Sequence, residues 1–218
     1  MKKSYWLGLL LIPFILFGCL PDEEHQKNLD SEVVQTSGIE QIATNLNIPW
    51  SIDYDGQAFY ISERTGTIVK VEDNDVERQK VFLKMPLSKA EEAGLLGFVL
   101  HPTDVNRAFA YYTYENNDGQ YNRLIELVLN DDGWHEERVL LDKIPSGNVH
   151  HGGRIKIGPD GKLYVTTGDA ATPALAQDLT SLAGKILRLN FDGTIPDDNP
   201  IKGTYIFSYG HRNPQGLA

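Results

Sequence analysis

Residues 150–169 carry the groups in this chain best suited to chemistry. They read His150-His151-Gly152-Gly153-Arg154, a short alternating run, the turn Pro159-Asp160-Gly161, a second run, and Gly168-Asp169. An Asp-Gly turn between two such runs predicts a tight β-hairpin, with a histidine at one open end and an aspartate at the other. An imidazole beside a carboxylate is the minimal apparatus of general-base catalysis, one group taking a proton and the other orienting it. Neighbours in extended chain point to opposite sides, so at most one of His150 and His151 faces a shared cleft. Two further clusters hold groups of similar kind: Glu92-Ala93-Gly94-Leu95-Leu96-Gly97 and His211-Arg212-Asn213-Pro214-Gln215-Gly216. Taken singly, each cluster also reads as plain structure: a bulged polar turn around His150, a turn at Gly168-Asp169, a salt-bridge partner in Arg212.

Other chemistries find no foothold. His135-Glu136-Glu137-Arg138-Val139 opens like a zinc-protease helix but lacks the second histidine. There is no Gly-x-Ser-x-Gly, no phosphate-binding P-loop and no Gly-x-Gly-x-x-Gly, so hydrolase, nucleoside-triphosphatase and nicotinamide readings are unsupported. The formal net charge is −10, and no basic stripe lies on any predicted element, which argues against nucleic acid. An anionic cofactor would therefore need locally placed arginine or lysine.

The elements that must position these groups are strands. Five Asp-Gly dipeptides, at Asp55, Asp118, Asp132, Asp160 and Asp192, punctuate runs that alternate as half-buried strands do, among them residues 58–61, 67–71, 154–157 and 186–189. Only residues 87–92 and 173–182 are candidates for helix, and both are short. The strand pattern of residues 50–71 recurs at residues 153–189, with a looser copy over 97–127. Units of roughly 40–50 residues with about four strands each are the signature of a β-propeller blade. Residues 38–218 hold about three and a half units at that period; a β-sandwich would leave the repeat without a reason. Each of the three polar clusters precedes or begins the first strand of its unit, and in a propeller such positions converge at one end of the axis.

Together these motifs resemble one family. Residues 92–98 with His101-Pro102, then His150-His151-Gly152-Gly153-Arg154, Gly158-Pro159-Asp160-Gly161-Lys162-Leu163-Tyr164, Gly168-Asp169 and Tyr209-Gly210-His211-Arg212-Asn213-Pro214-Gln215-Gly216 look like the soluble, PQQ-dependent (quinoprotein) glucose/sorbosone and aldose sugar dehydrogenases. The resemblance implies an all-β, six-bladed β-propeller of the quinoprotein glucose dehydrogenase type. It implies that His150 is the base for the anomeric hydroxyl of an aldose, that Asp169 orients it, and that hydride passes to pyrroloquinoline quinone (PQQ). Arg212 would stabilise charge on the quinone, Asn213 would contact the cofactor, and Glu92, His150 and Arg212 would line the sugar site. Glu92 stands where glucose-oxidising members have a glutamine. In the family, the Ca²⁺ ligands and remaining basic PQQ contacts follow the His-Arg-Asn-Pro-Gln-Gly motif. The sequence is therefore expected to be the N-terminal half of a longer protein, with no metal ligands of its own and inactive as it stands. The expected partners are a sugar substrate and an external electron acceptor. The alternative is a non-catalytic propeller that binds a carbohydrate or protein ligand at the cell surface, since a fold does not fix a function.

The N-terminal residues read as an address. Residues 1–18 (Lys2 and Lys3, then an apolar run) predict a signal peptide, too short for a spanning helix. Cys19, the only cysteine, follows Gly18 as in a bacterial lipobox and is expected to be lipidated. Residues 19–37 are polar and acidic and read as a tether. The expected location is the outer side of the cell membrane, reached through the lipid anchor alone.

Overall fold

Aspartate and glycine tolerate the positive φ of tight turns, and each of the five Asp-Gly steps lies between consecutive strands that pair antiparallel. The structure is a computed structural model that describes residue 38 and residues 40–218. The expected signal peptide, Cys19 and the tether lie outside the described residues. The strands are β1 (Pro49–Tyr54), β2 (Phe59–Glu63), β3 (Thr67–Glu72), β4 (Asp75–Phe82), β5 (Leu95–His101), β6 (Asp104–Asn116), β7 (Gly119–Asn130), β8 (Gly133–Pro145), β9 (Gly152–Ile157), β10 (Leu163–Thr167), β11 (Lys185–Leu189) and β12 (Ile206–Tyr209). Helix α1 (Pro173–Gln177) lies between β10 and β11.

These strands make three four-stranded antiparallel blades, β1–β4, β5–β8 and β9–β12. The first two join into one continuous sheet because their outermost strands touch, β4 and β8 pairing in parallel only at Val81–Trp134 and Phe82–His135. The innermost strands β1, β5 and β9 run the same way along the axis. Their C-terminal residues Asp53, Leu100 and Lys156 line one cleft, while the residues preceding them meet at the other end. Residues 210–218 follow β12 without forming a strand. The chain folds as three blades of a β-propeller.

Two local expectations are corrected. Residues 87–92 are not helical: Ser88 N–H donates to Thr113 O (2.9 Å) and Leu87 bridges Tyr114, so the backbone there is committed to β6. The second segment is helix only over Pro173–Gln177. It stops at Asp178, whose backbone is extended and whose side chain turns to accept from Thr180 N–H. His135 lies in β8, which removes any helical placement of the Glu136-Glu137 run.

Alternation explains how the blades stack. On β6, Ala108, Ala110, Tyr112 and Tyr114 enter the core shared with the first blade, while Phe109 and Tyr111 enter the core shared with the third. Side chains on a strand alternate faces, and the middle blade is covered on both, so residues 108–114 are buried without interruption. The core between the first two blades holds Tyr60, Ile68, Phe98 and Trp134. The one between the second and third holds Leu96, Leu124, Ile155, Val165 and Leu187. Polar ties reinforce each seam: Trp134 Nε1–H donates to Gln79 Oε1 (2.8 Å), and Arg138, paired with Glu126, donates to the carbonyls of Phe191 and Asp192.

Candidate active site

The β9–β10 hairpin places its two ends as its register requires, with Gly152 opposite Thr167. His150 sits just before β9 and Asp169 just after β10, and their side chains meet at 2.8 Å, His150 Nδ1 to Asp169 Oδ1. Asp169 is 2% exposed and His150 9%. Asp169 Oδ1 also accepts from Ala171 N–H (2.9 Å), so the carboxylate is anchored from two sides. An acid that only accepts fixes the tautomer: Nδ1 carries the proton and Nε2 keeps the lone pair. Nε2 has no protein partner among the described residues and is not among the buried unpaired atoms, so it opens to solvent.

The backbone here is strained. His150, Ala170 and Ala171 have φ of 66°, 56° and 58°, in the left-handed region that residues with a Cβ avoid, at about 1–3 kcal/mol each. Three such residues around one hydrogen-bonded pair mark a site whose geometry is held by its surroundings. Gly168 allows the closeness, since any Cβ there would overlap the carbonyl of His150.

The other two clusters arrive at the same place. Glu92, in the turn before β5, accepts with Oε2 from His150 N–H (2.8 Å) and from Asn213 Nδ2 (3.2 Å). Asn213 Oδ1 accepts from Gly152 N–H (3.0 Å). Arg212 lends its carbonyl to Asp169 N–H (2.8 Å), while its guanidinium is exposed and makes no hydrogen bond or ion pair among the described residues. Thus Glu92, His150, Asp169 and Asn213 are joined directly and Arg212 through its backbone. Arg154 points elsewhere. Its guanidinium donates to Trp50 O (3.2 Å) and Gln215 O (2.9 Å), tying the third blade to the first, and burial without a carboxylate lowers its pKa.

His151 takes a different partner from His150 and does not meet Asp169. It is 1% exposed, its Nδ1 meets Ser146 Oγ (3.0 Å), and its Nε2 has no partner. Burial outweighs the attraction of Glu92 and pulls its pKa from 6.5 to about 4. The unfolded chain therefore binds a proton that the fold rejects between about pH 4 and 6.5, so stability falls as pH falls through that window. From pH 7 to below 4 this group should remove about 3 kcal/mol. Urea unfolding at pH 4 to 7 should show a shallower pH slope for His151→Gln than for the unmodified protein; equal slopes would contradict the assignment.

Two supports carried no sequence signal. Arg64, in the turn after β2, reaches across to the Glu92 turn, donating to the carbonyls of Ala93 (2.9 Å) and Glu91. Lys185 on β11 is fully buried, its ammonium donating to the carbonyls of Leu175, Ala176 and Ala183 at 2.8, 3.0 and 2.6 Å. It thereby holds the loop that leads away from Asp169. A lone arginine in a turn and a lysine in an alternating strand both read as surface charge.

The chain is similar in sequence and fold to known proteins. Quinoprotein glucose dehydrogenase B of Acinetobacter calcoaceticus is 32% identical over 213 residues, covering 81% of this chain and 45% of that protein. The aldose sugar dehydrogenase of Escherichia coli is 30% identical over 204 residues, covering 84% and 53%. The PQQ-bound structure of the Streptomyces coelicolor aldose sugar dehydrogenase superposes with a TM-score of 0.73 at 33% identity, covering 80% of this chain and 54% of that one. The chain spans about half the length of the relatives it matches. The Glucose / Sorbosone dehydrogenase profile matches residues 46–218, which takes in all three blades and every residue of the His150 site. On blades, site and relatives together, the chain belongs to the Glucose / Sorbosone dehydrogenase family.

Proposed function

We propose that the protein carrying this chain oxidises the anomeric hydroxyl of aldose sugars with PQQ as electron acceptor, and that His150 is its base. The observation that carries this reading is the buried His150–Asp169 pair, with Nδ1 committed to the carboxylate and Nε2 left open. A non-catalytic binding propeller would leave that strained pair without a task.

PQQ carries carboxylates, and a chain of net charge −10 must offer such a molecule a local cation. Arg212 fits, being exposed and unpaired among the described residues, and Asn213 keeps one Nδ2 hydrogen free of the bond to Glu92. When bound, PQQ supplies a two-electron acceptor for the hydride from sugar C1. His150 Nε2 takes the proton of the anomeric hydroxyl, and the sugar, having lost proton and hydride, leaves as the lactone. Asp169 keeps Nδ1 protonated and stabilises the positive charge that then forms on the ring. The Arg212 guanidinium offsets negative charge that develops as electrons leave the sugar. Glu92 Oε1 has no partner among the described residues and is open to solvent, so it is available to accept from a sugar hydroxyl. Where a glutamine can also donate, this carboxylate only accepts, which favours hydroxyls that donate.

No group of three or more His, Cys, Asp or Glu side chains that could hold a metal occurs among the described residues, and no step is assigned to Ca²⁺. The test uses the longest polypeptide that carries this chain, loaded with PQQ and Ca²⁺ and assayed for dye-coupled oxidation across a panel of aldoses. PQQ-dependent oxidation of at least one aldose is expected. Absence of turnover on every aldose, with PQQ bound, contradicts the reading.

A further inference from the structure

His150 is held through its backbone as firmly as through its ring. Its left-handed φ of 66° removes its N–H from any strand ladder, and the acceptor it finds is Glu92 Oε2, from the neighbouring blade. The same oxygen accepts from Asn213 Nδ2, and Asn213 Oδ1 returns to the N–H of Gly152, two residues beyond His150. Three hydrogen bonds thus bracket the peptide segment 150–152. Glu92 is itself fixed from the first blade: the Arg64 guanidinium donates to the carbonyls on either side of it, Glu91 O and Ala93 O, and Arg64 O accepts from Leu95 N–H (3.1 Å). Arg64 makes no hydrogen bond to His150, Asp169, Arg212 or Asn213.

We propose that Arg64, Glu92 and Asn213 form a strap that holds the His150 backbone in its left-handed conformation and so aims Nε2, and that Arg64 is a positioning residue of the site. The proposal rests on the reading of His150 as base, but it assigns Glu92 Oε2 and the Asn213 amide to the protein's own backbone. Arg64 serves the two carbonyls with two different nitrogens of one rigid fork, Nε to Ala93 O and Nη2 to Glu91 O, a spacing that the single nitrogen of a lysine at position 64 does not reproduce. An amide oxygen can accept the same two bonds as a carboxylate oxygen, so glutamine at position 92 can.

Amide hydrogen exchange reads the strap without sugar or cofactor. Protection of the His150 and Gly152 amides should fall about tenfold in Glu92→Ala, the equivalent of one lost hydrogen bond. It should fall comparably in Arg64→Ala and Arg64→Lys and stay near the unmodified value in Glu92→Gln. The amides of Tyr112 and Leu124, in the blade core, should not change, which separates the strap from general unfolding. In the PQQ-loaded protein, Arg64→Lys should lower kcat with the sugar KM unchanged. Unchanged protection of His150 in both Glu92→Ala and Arg64→Lys overturns the proposal, as does an Arg64→Lys protein that moves KM alone. If no variant and no unmodified protein turns over sugar, the functional reading fails, and the exchange result still decides the strap.

Discussion

Replacing His150 by alanine is expected to lower kcat for aldose oxidation by about 10²–10⁴-fold, the range over which a positioned base contributes. The imidazole provides the one open lone pair in a pair otherwise sealed in protein, Nδ1 being bound to Asp169 at 2.8 Å. Binding of PQQ should persist, because Arg212 and Asn213 are untouched. Asp169→Asn should approach the same loss by another route. An amide that presents its N–H to Nδ1 forces the proton onto Nε2 and removes the lone pair without removing the ring. Steady-state kinetics on the PQQ-loaded protein checks both. An Asp169→Asn variant that kept full kcat would show that the carboxylate does not set the tautomer.

Gly168→Ala is expected to damage fold and site together. The added Cβ would overlap the carbonyl of His150 and lie 2.9 Å from the amide nitrogen of His151. These are backbone atoms, so no rotamer change relieves the contact. Overpacking of this kind costs about 3 kcal/mol. Relief by moving β10 away from residues 150–151 would separate His150 from Asp169, and a shift of about 1 Å can cost 10²-fold in rate. Urea denaturation and kcat should therefore fall together. Gly161→Ala is the control for turn glycines, since its Cβ would meet nothing within 4 Å and only its φ of 68° resists the change. It should lose some stability while keeping kcat, and a Gly168→Ala protein no worse than Gly161→Ala would contradict the close-contact account.

The inner architecture was legible because it rests on local chemistry. Turn residues at Asp55 and Asp160 mark equivalent hairpins in the first and third blades, and the alternating runs beside them became β2, β3, β10 and β11. The outermost strands were harder to see. β4 reads Asp-Val-Glu-Arg-Gln-Lys-Val-Phe, and only Gln79 in it is buried, because an outer strand has little core to face and its apolar alternation fades. β12 is four residues long with one buried side chain. Residues 87–92, a candidate for helix, do not form one because the segment spends its backbone on β6.

The His150–Asp169 contact could be anticipated from hairpin geometry, since register alone brings the two ends of β9 and β10 together. What sequence could not convey is the part that depends on contacts between blades. The turn of Glu92 under the His150 backbone, the return of Asn213 to Gly152 and the reach of Arg64 from the first blade join residues 58, 61 and up to 29 positions apart. Side-chain pairings at such separations follow from the ring arrangement of the blades and leave no periodic trace.

We propose that His150 removes the anomeric proton as C1 gives up hydride, and substrate deuterated at C1 probes that step. The measurement is anaerobic single-turnover reduction of PQQ in the loaded protein by the preferred aldose, with protium or deuterium at C1, followed spectrally as a function of pH. Slower reduction with deuterium is expected in the unmodified protein, and in His150→Ala a rate lower by at least about 10²-fold. PQQ reduction at an unchanged rate in His150→Ala, or with no isotope effect in either protein under conditions where chemistry limits the rate, would contradict it.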